Sequence, residues 1–373
     1  MHNKELFYFT GKCLMLDEDP EFRKEILEKI SADAIEWQQF VGFCSNHLIL
    51  PVIYLKFQSH GIIDFLPKEL AEFLEEIYNL NRSRNDQILR QLKGITVVLN
   101  KSNIHPVFLK GAAHLLDDLY SDIGERILGD IDILVPEKDY LPSVRLLEND
   151  GYSCITPTPV FFIIEKLKHY PAISKPGSPA ILEIHRLLTD ENYSWFNPAI
   201  TDQEKKTVNA LKGCYVLTDR HQIIHNFVHA QLHHWGHING IVAFRDLYDL
   251  YLLSKRSAIK ETLPLIKCRQ KAIAYFVFAG KAFGLNGRFY PKSNFSAWFF
   301  LKRHNLNLNS PAFYYINRSV IYLVQRFLIG NTTQLVRSFY SKSVRQSVIN
   351  RLTNRHWYVA HLHTYIDFFA RKK

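Results

Sequence analysis

Two acids separated by a single apolar residue are the chemically most telling feature of this chain. Gly129–Val135 reads GDIDILV, with Asp130 and Asp132 alternating with Ile131 and Ile133. Alternation of period two predicts a strand with one acidic and one apolar face. Carboxylates that close repel each other unless a cation lies between them. Oxygen ligands of this kind suit Mg²⁺ or Mn²⁺. Upstream, VFLKGA (Val107–Ala112) sets Lys110 and Gly111 after a short apolar strand and before a helical stretch. Glycine permits close backbone approach, a helix N-terminus offers free N–H groups, and lysine adds a point charge. That turn is a candidate phosphate contact, and Arg126, four residues before Asp130, is a second.

Glu183 is the third candidate acid. In ILEIH (Ile181–His185) it shares a strand face with His185, while Leu182 and Ile184 share the other. If this strand pairs beside the Asp130 strand, Glu183 completes a carboxylate triad. It can then share the metal or take the proton of an acceptor hydroxyl. His185 is expected to act as a hydrogen-bond partner there. Each residue also has a plainer reading. The acids suit a solvated edge strand, Gly111 a tight turn, Arg126 an ion pair with Asp122 or Glu125, and Glu183 a polar stripe.

The elements that must position these residues follow from periodicity and breakers. Residues 20–102 read as helical, with Pro67 opening a long run from Lys68 to Asn100. Ile104–Leu109 reads as a strand, Ala112–Tyr120 as a short helix, Leu128–Val135 as the acidic strand and Glu137–Asn149 as a helix. His169–Ser174 and Ala180–Leu187 read as a hairpin around Lys175-Pro176-Gly177. From Thr218 onward the pattern is helical. The order predicts an α+β protein with a small mixed-sheet core (103–200) between an N-terminal helical region (1–102) and a C-terminal helical, basic region (201–373).

FLKGAAHLLDDLYSDIGERILGDIDILV, ENDGY near Gly151, and LEIH together resemble the uncharacterised nucleotidyltransferase family of the polymerase-beta-like superfamily. The resemblance is strongest over about 85–190. It extends more loosely to the N-terminal helices and to a His-rich helix followed by Phe244-Arg245-Asp246-Leu247. It implies a nucleotidyltransferase fold, with Gly111 as the phosphate-turn glycine, Asp130 and Asp132 as the metal pair, and Glu183 as the third carboxylate. Ala112 stands where the superfamily turn usually has Gly or Ser, and the spacer from Gly111 to Asp130 is longer than the superfamily norm. The activity implied is Mg²⁺-dependent transfer of a nucleoside monophosphate, expected to be AMP, from a nucleoside triphosphate to an unidentified acceptor. The alternative is a catalytically silent protein on the same fold that binds a nucleotide or a polyanion.

Bulk properties limit the other classes. At 373 residues, 47% apolar and 22% charged, the chain supports a substantial core and has no low-complexity tract. Five scattered cysteines without a CxxC argue against a disulfide framework. No long apolar run resembles a signal peptide or membrane span, so a cytoplasmic location is expected. The net charge of +10 is concentrated. Pro291–Lys373 holds 13 Lys/Arg and one acid, whereas the remainder holds 33 and 35. This region interleaves aromatics with bases, as in Arg337-Ser338-Phe339-Tyr340 and Arg355-His356-Trp357-Tyr358, which suits either a basic helical bundle or binding to RNA or an anionic membrane surface.

Histidines recur every fourth residue at 221, 225, 229, 233 and 237, with His234 beside the fourth. On an α-helix that spacing drifts about 40° per step, so five histidines cannot converge and no structural metal is expected. His229 and His233 are candidates for contact with nucleotide or acceptor; the alternative is a polar stripe on a packed helix.

Overall fold

The computed structural model describes residues 1–155, 167–189, 195–196, 204–324, 331–340 and 342–353. The chain forms two compact units, Met1–Asn309 and Ser310–Lys373. The first begins with α1 (Asn3–Leu14), α2 (Pro20–Ser31), α3 (Trp37–Asn46) and α4 (Leu50–Ser59), followed by the 33-residue α5 (Lys68–Asn100). The start of α2 follows from its residues. Asp19 accepts the Glu21 amide at 3.0 Å, and Pro20 sits where its missing N–H costs nothing.

A mixed seven-stranded sheet comes next. β1 (Val107–Leu109) runs into α6 (Lys110–Leu116); β2 (Asp130–Leu134) is followed by α7 (Tyr140–Asn149), β3 (Ser153–Cys154), β4 (Ile173–Ser174), β5 (Ile181–His185), β6 (Lys205–Thr207) and β7 (Tyr215–Leu217). Their order is β3-β4-β5-β2-β1-β7-β6. β2 lies antiparallel to β1 and parallel to β5. The sheet therefore continues past residue 200: β7 pairs with β1, and β6 with β7. At three residues each, β6 and β7 are too short for alternation to reveal.

Helices return with α8 (Asp219–Phe227), a π-helical turn (Val228–His233), α9 (Gly236–Asn239), α10 (Phe244–Arg256), α11 (Ile259–Thr262), α12 (Arg269–Ala282) and α13 (Phe295–Asn309). The second unit contains α14 (Pro311–Leu323), α15 (Asn331–Tyr340) and α16 (Lys342–Thr353). The Arg355–Tyr358 cluster and the 200 boundary lie outside the described residues. No helix among the described residues is long and apolar enough to cross a membrane. The architecture is α+β, as the element order predicts.

Two apolar cores hold the first unit. One gathers α1–α4 with α8, α10 and α12 around buried phenylalanines such as Phe7, Phe40, Phe244 and Phe278. The other packs Ile88, Leu92, Ile95 and Leu99 of α5 with Phe108, Ile131, Ile133, Leu182 and Ile184 of the sheet. Each such side chain contributes roughly 1.5–3 kcal/mol on full burial, so the α5 stripe anchors the two acid-bearing strands.

Candidate active site

The paired register of β2 and β5 creates the site. Asp132 sits opposite Glu183, and Leu134 opposite His185. Pairing in this register brings the acids of two distant segments together. Polar groups on α5 fix the segments that feed those strands. Asn81 Nδ2 donates to Gly124 O at 2.7 Å, and Asn85 Nδ2 donates to Arg126 O at 2.7 Å. Arg84 reaches Pro179 O at 3.0 Å, and Gln91 reaches Ala180 O at 2.9 Å. One helix thus holds the approaches to both β2 and β5.

Asp132 is buried and accepts at one oxygen, Oδ1, from both Lys110 Nζ (2.9 Å) and His185 Nε2 (2.8 Å). Burial alone would raise its carboxyl, but Lys110 and His185 overcome that and hold it well below the usual carboxylate range. Glu183 lies 3.5 Å from His185 Nε2 and 3.8 Å from His169 Nδ1. The hydrogen bond from His185 holds its carboxyl below the ordinary value against the opposing effect of burial. Asp130 differs: burial, then the neighbouring Asp132, push its carboxyl up. A divalent cation relieves that kind of like-charge strain.

The residues fit such an ion. Asp132, Glu183 and His185 each present a ligand atom, all within 4.8 Å of one another. His185 Nδ1 is buried without a hydrogen-bond partner, so this ring's orientation is set from the acid side. Carboxylate oxygens suit Mg²⁺ or Mn²⁺, and imidazole extends the set toward softer divalent ions.

A cavity of about 320 Å³ opens beside these groups. Lys110, Gly111, Asp130, Glu183 and His185 line it on the sheet side; His229, His233, His234 and Arg245 line it from the helices. Lys110, rather than the glycine, adopts the left-handed backbone at this turn, with φ of 50°. Gly111 answers to packing: a Cβ there would lie 2.8 Å from Leu128 Cγ. Ala112 is buried within α6.

Arg126 also borders the cavity, but its guanidinium is committed. Nε and Nη2 donate to Asp249 at 2.9 and 2.8 Å, and both residues are buried. Its partner is thus neither Asp122 nor Glu125. Asp249 also accepts from Tyr120 and lies 3.3 Å from His114 Nδ1. Sequence spacing missed Asp249 because an acid 123 residues away leaves no local signature. It also missed Arg245, whose Nε is buried with no hydrogen-bond partner, although the Phe244–Leu247 string gave a hint.

The histidine segment departs from α-helical geometry. His234 N donates to His229 O at 3.1 Å, an i to i+5 bond. That wider turn brings His229 and His234 together, with Nε2 atoms 3.0 Å apart, and leaves His233 on the same cavity. Burial first, then the Lys110 charge, hold His229 well below the ordinary histidine value. Burial and His233 hold His234 down at about 4. His221 and His237 part company with this trio. His221 meets Thr218 at 2.8 Å and His237 stacks on Phe300, while His225 lies edge-on to His229 with ring centroids 6.2 Å apart and lines a smaller cavity with it.

An acid pair on one strand, a third acid on its parallel neighbour and a lysine-glycine turn leading into a helix make a metal-compatible site on a mixed sheet. The chain belongs to a family described as uncharacterised nucleotidyltransferases, whose family model matches residues 33–284. It is therefore a nucleotidyl-transferring enzyme by family. No curated protein and no solved structure matches it.

Proposed function

We propose that this protein transfers a nucleoside monophosphate, AMP in the simplest case, from a Mg²⁺-bound nucleoside triphosphate to an acceptor hydroxyl. The single observation that carries the reading is the Asp132–Glu183 register, with Asp130 and Glu183 lining a cavity that Lys110 and Arg245 also line. Asp130, Asp132 and Glu183 hold the divalent ion, and His185 orients Asp132 and Glu183. A bound Mg²⁺ supplies positive charge that offsets the build-up on the phosphoryl oxygens.

The chain's own groups do the rest. Lys110 receives triphosphate oxygens together with the Gly111–Ala112 amides at the start of α6. Arg245 is the better-placed guanidinium for phosphate, because it lines the cavity and, among the described residues, only its Nε faces an acid, Asp246 at 3.7 Å, whereas the Arg126 fork is hydrogen-bonded to Asp249. The acceptor oxygen bonds to the α-phosphorus, the bond from that phosphorus to the bridging oxygen breaks, and pyrophosphate leaves. Glu183, kept ionised by His185, takes the acceptor's proton. His229 and His233 border the space left for the acceptor.

The test is a label-transfer assay. ATP labelled at the α-phosphate is incubated with Mg²⁺, the full chain and a cell extract, and products are resolved by mass spectrometry. The reading expects a new labelled species together with pyrophosphate, both absent with Asp130→Ala/Asp132→Ala. Metal-dependent ATP binding without any labelled product, across extracts and nucleotides, would favour the silent nucleotide-binding alternative.

A further inference from the structure

Successive helices near the C-terminal end repeat one unusual pattern, each taken by itself. On α13 the side chains of Phe295, Trp298, Phe299 and Leu306 are exposed, Phe295 by 78%. Phe295 stacks on Trp298 with ring centroids 5.5 Å apart. Lys302 lies over the Trp298 ring at 4.7 Å, and Arg303 over Phe299 at 5.7 Å. On α14 the exposed large apolar residues are Tyr315 (45%), Ile316 (63%), Val320 and Leu323, with Val324 just past its end, whereas Asn317 on the same helix is buried. On α15, Leu335, Val336 and Phe339 are exposed. Helices in water bury such stripes; these face outward.

Charge and chemistry select the occupant. The segment Pro291–Lys373 carries 13 bases and one acid, so its surface calls for an anion. RNA supplies charge and bases for stacking. The α14 stripe, however, is mostly aliphatic, and Ile316, Val320 and Leu323 have no ring on which a base can stack, Tyr315 being the exception. An aliphatic helical stripe in a strongly basic segment matches the boundary of headgroups and acyl chains. A second copy of the same basic surface would repel the first.

We infer that the second unit of this protein lies on an anionic lipid bilayer, with the α14 apolar stripe entering the acyl boundary and the bases of the segment meeting lipid headgroups. This attachment is peripheral, since no described helix is long and apolar enough to cross a membrane. It stands apart from the nucleotidyl-transfer reading, because it uses none of the cavity residues.

The test uses the purified full chain and vesicle flotation. Phosphatidylcholine vesicles containing phosphatidylglycerol should carry the protein, and phosphatidylcholine vesicles alone should not. Ile316→Ser/Val320→Ser leaves net charge unchanged and should weaken vesicle binding by about tenfold or more, with an unchanged thermal melt because these side chains are already exposed. Arg318→Gln and Arg345→Gln should each weaken binding by about fivefold, and more salt should weaken it further. Three results would overturn the inference. One is absence of binding to anionic vesicles by the wild-type chain. Another is RNA binding of equal strength that ignores the serine variant. The third is a dimer, seen by light scattering, that the serine variant abolishes.

Discussion

Asp249→Asn should destabilise the fold sharply while Asp249→Leu/Arg126→Leu should recover much of the loss. In the structure, Asp249 accepts two hydrogen bonds from the Arg126 fork at 2.9 and 2.8 Å, and both side chains are buried. Burial raises the Asp249 carboxyl, but Arg126 and then His114 overcome it and hold it well below the usual carboxylate range. Neutralising Asp249 leaves the buried Arg126 charge without its hydrogen-bonded counter-charge, only the more distant Asp246 remaining. Breaking a buried pair on one side typically costs about 3–5 kcal/mol. Tyr120 also loses a charged acceptor and keeps only a neutral amide, worth about 1 kcal/mol less. The sum, roughly 4–6 kcal/mol, is comparable to the whole stability of many domains. Urea unfolding followed by circular dichroism measures it. The double leucine variant removes both charges together, which is often nearly neutral. The reasoning fails if Asp249→Asn shifts stability by under about 1 kcal/mol, or if the double variant is less stable than the single.

Three further outcomes follow from the site and the core. Glu183→Gln should lower turnover by about 10²–10⁴ while changing nucleotide affinity little, because Asp130 and Asp132 still recruit the metal-nucleotide; steady-state pyrophosphate release against calorimetric Kd separates the two, and normal turnover would show the third acid misassigned. Gly111→Ala should weaken both stability and nucleotide binding, since its Cβ meets Leu128 Cγ at 2.8 Å, and a thermal melt with and without Mg-ATP reports both. His304 is buried, with its pKa lowered to about 4 chiefly by burial. The unfolded chain binds that proton near pH 6.5, so the part of stability due to His304 should be full above about pH 6.5 and fall by about 3 kcal/mol as pH drops toward 4, beside the shares of the other buried histidines. Urea midpoints across that range check it, and His304→Gln should flatten that part of the loss.

Much of the fold was legible in the sequence, and for identifiable reasons. Pro67 marked the entry to α5 to the residue, and the period-two strings DIDIL and ILEIH became β2 and β5. Those strings carried the acids, but their meeting depends on the parallel β2–β5 pairing, which no local turn specifies. The rest depends on distance. The inward-facing Asn81, Arg84, Asn85 and Gln91 on α5 read as an ordinary polar face, yet they hold carbonyls some 38 to 95 residues away. Arg126 could not be matched with Asp249 by spacing. The histidines were treated with the α-helical period. Their gaps of four and five fit the wider turn between His229 and His234, a backbone state that tertiary packing selects.

The most direct test of the account is calorimetric titration of the full chain with ATP, in Mg²⁺ and then in excess chelator, alongside Asp130→Ala/Asp132→Ala. The like-charge acids at the cavity mouth should make binding depend on the ion, so the wild type binds in Mg²⁺, loses most of its affinity in chelator, and the double variant behaves like the chelated protein. Equal ATP affinity in all three samples would contradict the metal-binding role of the paired aspartates.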